Sequence, residues 1–160
     1  MSDKHSEADS ISAVQLHHIL TGSVYRKHDT IIELTEIDSF TSIDDLFGDR
    51  FYKIIFIRGE GEIGHWVLIT HVSRILVEYF DSTGNPPPEQ LREWMDKRGI
   101  VLEFSTVALQ HPLSYNCGRF VLARISSQPS PLQTFLDVLR SSKQFTPDEI
   151  VRTLFNVDEV

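Results

Sequence analysis

Helical spacing occupies both ends of this chain, and strand-like runs occupy its middle. Residues 51–58, 65–72 and 75–80 (FYKIIFIR, HWVLITHV and ILVEYF) are dense in β-branched and aromatic side chains, which predicts three strands. Only Ser73 and Arg74 separate the last two, so these should pair as an antiparallel hairpin. Residues 59–64 (GEGEIG) read as a turn, and residues 81–85 (DSTGN) as a loop. A fourth strand is expected over 100–109, with Val101, Phe104 and Val107 in the core. A short strand over 30–34 and a helical turn over 42–47 precede the central run.

Ile11, Val14, Leu16, Ile19 and Leu20 suggest a helix over 11–20, capped by Ser10 and ended at Thr21 and Gly22. Prolines 86–88 lead into a helix over 89–98 that Gly99 stops. Residues 117–126 (CGRFVLARIS) read as a buried helix, although Phe120, Val121 and Ile125 also suit a strand. Pro129 and Pro131 break the chain before amphipathic helices over 132–140 and 147–155. Thr146 should cap the second, with Asp148 and Glu149 in its first turn. Residues 1–9 read as a loose tail. There is no internal repeat, and the pattern is that of an α+β domain over 1–160.

Composition narrows the possibilities. At 160 residues the chain suits one domain. Its 15 basic and 23 acidic residues give a net charge of -8, a poor basis for non-specific nucleic-acid binding. The excess acid sits in residues 1–50, with ten acidic and four basic side chains, and reads as a solvated face. The first ten residues lack an apolar signal region, and no run is long and apolar enough to span a membrane. A soluble, intracellular protein is expected. The single cysteine, Cys117, excludes an internal disulfide and a cysteine-cluster zinc site. His17, His18 and His28 lack metal-ligand spacing, and a helix surface explains the first two, so no metal is expected. No serine-hydrolase elbow or nucleotide-binding glycine motif is present.

Cys117 can be more than a small hydrophobe if other residues support it. A thiol nucleophile needs a base, a group that orients the base, and donors for the oxyanion. His65 opens one hairpin strand and Asp81 follows the other, so the two should lie close together. Cys117 opens a predicted helix, whose N-terminus favours a thiolate. Gly118 would let a substrate backbone approach, and the Gln110 amide could donate to an oxyanion beside the Cys117 N–H. Taken singly, each has a plainer reading. His65 suits a strand, Asp81 a turn, Gln110 a surface loop and Trp66 a core or cleft wall. Ser114 and Asn116 read first as turn residues and second as shapers of the oxyanion loop.

Together, G-H-W at 64–66, F-D-S at 80–82 and Q-H-P-L-S-Y-N-C-G at 110–118 resemble the adenovirus protease (adenain) and Ulp/SENP group of cysteine peptidases. The seven-residue step from Gln110 to Cys117 is similar to the viral type. The resemblance covers residues 40–126. It implies a papain-like α+β fold, with a central, mostly antiparallel sheet flanked by helices. It implies His65 as base, Asp81 as its orienting partner, Gln110 as oxyanion donor and Cys117 as nucleophile, with Gly64, Trp66, Asn116 and Gly118 around the cleft. The implied activity is cleavage after small, Gly-type residues, in capsid or polyprotein precursors of a virus or mobile element. The alternatives are a deconjugase for ubiquitin-like modifiers and an inactive binding module on the same fold. The implied partner is a protein substrate, in host cytoplasm, nucleus or virion. The acidic charge and lone cysteine depart from the DNA- and disulfide-assisted adenovirus enzyme. No cofactor is expected, DNA included, and the chain should be a monomer.

Overall fold

Strands β2 (Tyr52–Arg58), β3 (Gly64–His71) and β4 (Leu76–Phe80) form the centre of a five-stranded sheet, flanked by β1 (Ile31–Glu33) and β5 (Val101–Phe104). This computed structural model describes residues 11–23, 26, 28–59 and 64–156. The predicted tail, the Ser10 cap and most of the 59–64 turn lie outside the described residues. The strand order is β1-β2-β3-β4-β5. The two central pairings are antiparallel, but both outer pairings, β1 with β2 and β4 with β5, are parallel. The sheet is therefore antiparallel at its heart and parallel at its edges.

Helices cover both faces, which explains why the strand runs are apolar throughout rather than alternating. Ile54, Leu68 and Phe80 point to one core, shared with α1 (Ala13–Thr21), α4 (Cys117–Ser126), α5 (Leu132–Arg140) and α6 (Pro147–Leu154). Ile55, Val67, Ile69 and Tyr79 point to the other. That core is closed by a 3-10 helix (Leu34–Ser39), α2 (Ile43–Phe47) and α3 (Glu89–Asp96). Among the described residues no helix is long and apolar enough to cross a membrane.

Several local expectations are corrected. Ser12, not Ser10, caps α1, through a reciprocal box with Gln15. Val14 and Ile19 are exposed, because α1 buries the face of Leu16 and His17 instead. His17 is fully buried, with Nδ1 bonded to Thr30 Oγ1 at 2.8 Å, so it is not a surface residue. The strand expected over 30–34 stops at Glu33, where the 3-10 helix begins. β5 is shorter than predicted, and Val101 and Phe104 are exposed on it, because β5 is an edge strand. The 117–126 segment is helical, with residues 117–125 all buried.

One buried ion pair joins α4 to the sheet. The Arg124 guanidinium grips the Glu78 carboxylate in a fork, Nε to Oε2 at 2.9 Å and Nη2 to Oε1 at 2.6 Å. Arg124 also donates to Ser127 Oγ and to the Ser130 carbonyl, which leaves little of its donor capacity unmet. Such a pair is costly to break from one side, because the remaining charge stays buried. Glu78→Ala should therefore lower unfolding free energy by about 3–5 kcal/mol in urea titration. The double variant Glu78→Leu with Arg124→Met should be more stable than Glu78→Ala. The reverse order would show that the pair is not buried as described.

Candidate active site

The hairpin brings His65 and Asp81 together. β3 and β4 pair with Leu68 opposite Phe80, so His65 and Asp81 both sit past the same end of that register. The His65 Nε2–H donates to Asp81 Oδ1 at 2.7 Å. The same oxygen accepts from the Thr83 N–H at 2.8 Å and the Thr83 hydroxyl at 2.6 Å. Thr83 was not singled out from sequence, although D-S-T is a turn in which a following residue returns to the carboxylate. Gly84 completes that turn at φ +79°, with the Thr106 carbonyl oxygen 2.7 Å from where a Cβ would stand. No other residue fits there without moving backbone.

Cys117 is buried at the first position of α4. Its thiol lies near enough to the His65 ring to act on the ring's charge, and because Asp81 holds Nε2, Nδ1 is the ring nitrogen left for it. Burial works against a charged ring here. The bond that the ring donates to Asp81, the interaction with Cys117 and the charges of both outweigh it, and push the His65 pKa up to about 10. Burial also raises the Asp81 carboxyl, but the bond and charge of His65 and the two Thr83 bonds hold it below the usual carboxylate range.

Gln110 is held at both ends of its amide. Its Oε1 accepts from the Ser82 hydroxyl at 2.6 Å, and its Nε2 donates to the Ser114 carbonyl at 2.8 Å. One N–H of the amide remains for another acceptor. The Ser114 carbonyl can only accept, so it decides which end of the amide is which, and Ser82, read from sequence only as a turn residue, meets the other end. The Ser82 carbonyl also accepts from the N–H groups of Leu109 and Gln110.

The surrounding residues divide by role. The Phe56 ring lies over Gly64, 1.7 Å from where a Cβ would stand, so a side chain there would displace the ring. Phe56 in turn packs on Trp66, with ring centroids 4.6 Å apart. The missing Cβ of Gly118 would face Ile11 at 3.3 Å and Trp66 at 3.5 Å. Its smallness lets Ile11, which precedes α1, and Trp66 pack close on α4. Asn116 is buried and bonded to Asp148 and Arg119. Among the described residues no group of His, Cys, Asp and Glu side chains is arranged to hold a metal ion.

No family model and no curated protein matches this chain. Solved structures are similar over part of it, among them the following. The crystal structure of ASFV pS273R protease is 21% identical with a TM-score of 0.43, over 64% of this chain and 41% of that one. The chain thus spans about two fifths of the length of that protease. The central domain of the uncharacterized Lpg1148 protein from Legionella pneumophila is 16% identical with a TM-score of 0.42, over 78% of this chain and 80% of that one.

The raised His65 pKa has a consequence for stability. The folded ring binds its proton more tightly than a free ring of pKa 6.5. Its contribution is complete below about pH 6.5 and is lost as the pH rises through about 10. Wild type should therefore lose stability over that alkaline window in chemical denaturation. Asp81→Asn, which lacks the carboxylate that raises the ring, should lose less. Equal losses in both proteins would refute the coupling.

Proposed function

We propose that the protein is a cysteine peptidase in which Cys117 is the nucleophile. The observation that carries this reading is the line Asp81–His65–Cys117, ending at the N-terminus of a buried helix. A ring with a pKa near 10 is protonated at neutral pH, so a thiolate at Cys117 has a cation beside it and helix N–H groups behind it. The thiolate attacks the scissile carbonyl. The oxyanion is received by the Cys117 N–H and the remaining Gln110 N–H. His65 gives its proton to the leaving amine and then takes one from the water that hydrolyses the thioester.

Two concavities support an extended substrate. Trp66, which contacts Gly118, borders a cavity of about 630 Å³ with Ile31, Phe56 and Arg58. Asn116, on the other side of Cys117 in the chain, borders a cavity of about 710 Å³. Cleavage after a small residue such as Gly is the specificity that the resemblance of the G-H-W and N-C-G segments implies. Maturation of a capsid or polyprotein precursor is the preferred role, on the strength of the seven-residue Gln110–Cys117 step.

The test is turnover of a fluorogenic peptide amide ending in Gly-Gly, alongside probes that carry ubiquitin-like C-termini. Cys117→Ala and His65→Ala should abolish turnover. Gln110→Ala should cost about 2–4 kcal/mol in kcat with folding intact. Equal turnover in wild type and Cys117→Ala would end the peptidase reading. Strong labelling of Cys117 by a ubiquitin-like probe would replace maturation with deconjugation.

A further inference from the structure

We propose that Asp148, on α6, is a positioning residue that clamps both ends of the 110–116 loop and so sets the oxyanion donors. The proposal rests on the peptidase reading and deepens it, by extending the working parts of the site into a helix that no sequence motif connects with Cys117.

In sequence, Asp148 is an ordinary acid in the first turn of a helix, where it favours the N-terminal dipole. In the fold its two oxygens are spent elsewhere. Oδ2 accepts from the His111 N–H at 2.7 Å, and Oδ1 accepts from the Asn116 side-chain amide at 2.9 Å. His111 follows Gln110, and Asn116 precedes Cys117. One carboxylate therefore ties the residue beside the oxyanion side chain to the residue beside the nucleophile.

Packing does not hold the tip of this loop in place. The 710 Å³ cavity separates much of it from the start of α6, and Leu113 at its tip is 81% exposed. The bonds to Asp148 cross that gap. Ser82 supplies the complementary anchor on the sheet side, fixing the Gln110 amide and the backbone before it. With both anchors the loop is held at its two ends while its tip stays open to solvent.

The clamp also explains an uncapped helix. Asn116 occupies the N-cap of α4, a position where its side chain would ordinarily accept from a first-turn N–H. It makes no such bond. Its amide donates to Asp148, and its Oδ1 accepts from Arg119 Nη1 at 3.3 Å. By drawing Asn116 aside, Asp148 leaves the first N–H groups of α4 unspent on a cap, at the place where the oxyanion would form. α6 is itself fixed for this task. Thr146 and Glu149 close a capping box around its start, and Arg119 Nε donates to the Phe155 carbonyl at its end.

The experiment compares wild type, Asp148→Ala, Asp148→Asn and Gln110→Ala, with the double variant Asp148→Ala/Gln110→Ala. Asp148→Ala should lower kcat on the Gly-Gly peptide amide by about ten- to a hundred-fold with KM little changed, as a misplaced donor does. Asp148→Asn, which keeps one acceptor, should fall between. The alkylation rate of Cys117 by iodoacetamide should change far less than kcat, because the His65–Asp81 pair beside the thiol makes no bond to Asp148. Amide exchange at His111 should quicken. In the double variant the loss should be far less than the product of the two single losses. An unchanged kcat in Asp148→Ala, or losses that multiply fully with Gln110→Ala, would overturn the clamp. A kcat loss matched by the fraction unfolded would do so too. A wild type that alkylates at Cys117 but turns over no substrate would overturn the peptidase reading instead.

Discussion

The ion pair between Glu78 and Arg124 is the joint on which the site is hung. Glu78 is in β4, the strand that leads to Asp81, and Arg124 is in α4, the helix that begins at Cys117. From the pair to Asp81, three residues of strand advance about 10 Å. From the pair back to Cys117, seven residues of helix span about 10 Å. Pinned at one point, the strand and the helix bring their functional ends to the same level. The fork geometry matters, because two parallel hydrogen bonds fix orientation as well as distance.

His65 then takes its character from what meets there. On an isolated strand it would be an ordinary imidazole. Between an aspartate that already holds two further hydrogen bonds and a thiol at a helix start, it becomes a ring that keeps its proton. Burial opposes this, and the neighbours prevail. The same low-dielectric setting that penalises the charge strengthens every bond that offsets it. The 110–116 loop completes the arrangement from outside the sheet, held by Ser82 on one side and Asp148 on the other.

Much of this was legible along the chain. The three central strands, the hairpin through Ser73 and Arg74, and the helices over α4, α5 and α6 follow from local composition and punctuation. The errors have local causes. Val14 and Ile19 have the right spacing for a buried stripe, yet α1 turns its Leu16 and His17 face inward, because Thr30 offers the His17 ring a buried partner. Val101 and Phe104 are apolar enough for a core, but β5 is an edge strand, and nothing in its own sequence says which strand will be last.

The sequence by itself determined the α+β class, the elements, and the nearness of His65 to Asp81, because a hairpin's register follows from its own turn. It also supplied Gln110 and Cys117 in an order that suggested their chemistry. Only the tertiary structure decided how those residues are held. Thr83 against Asp81 is a contact within one turn, but Ser82 with Gln110, Arg124 with Glu78, and Asp148 with His111 and Asn116 join residues 28 to 46 positions apart. Local propensity and spacing carry no information about such pairs. They exist because folding removes the groups from water, and each must then find its partner wherever the packed elements place one.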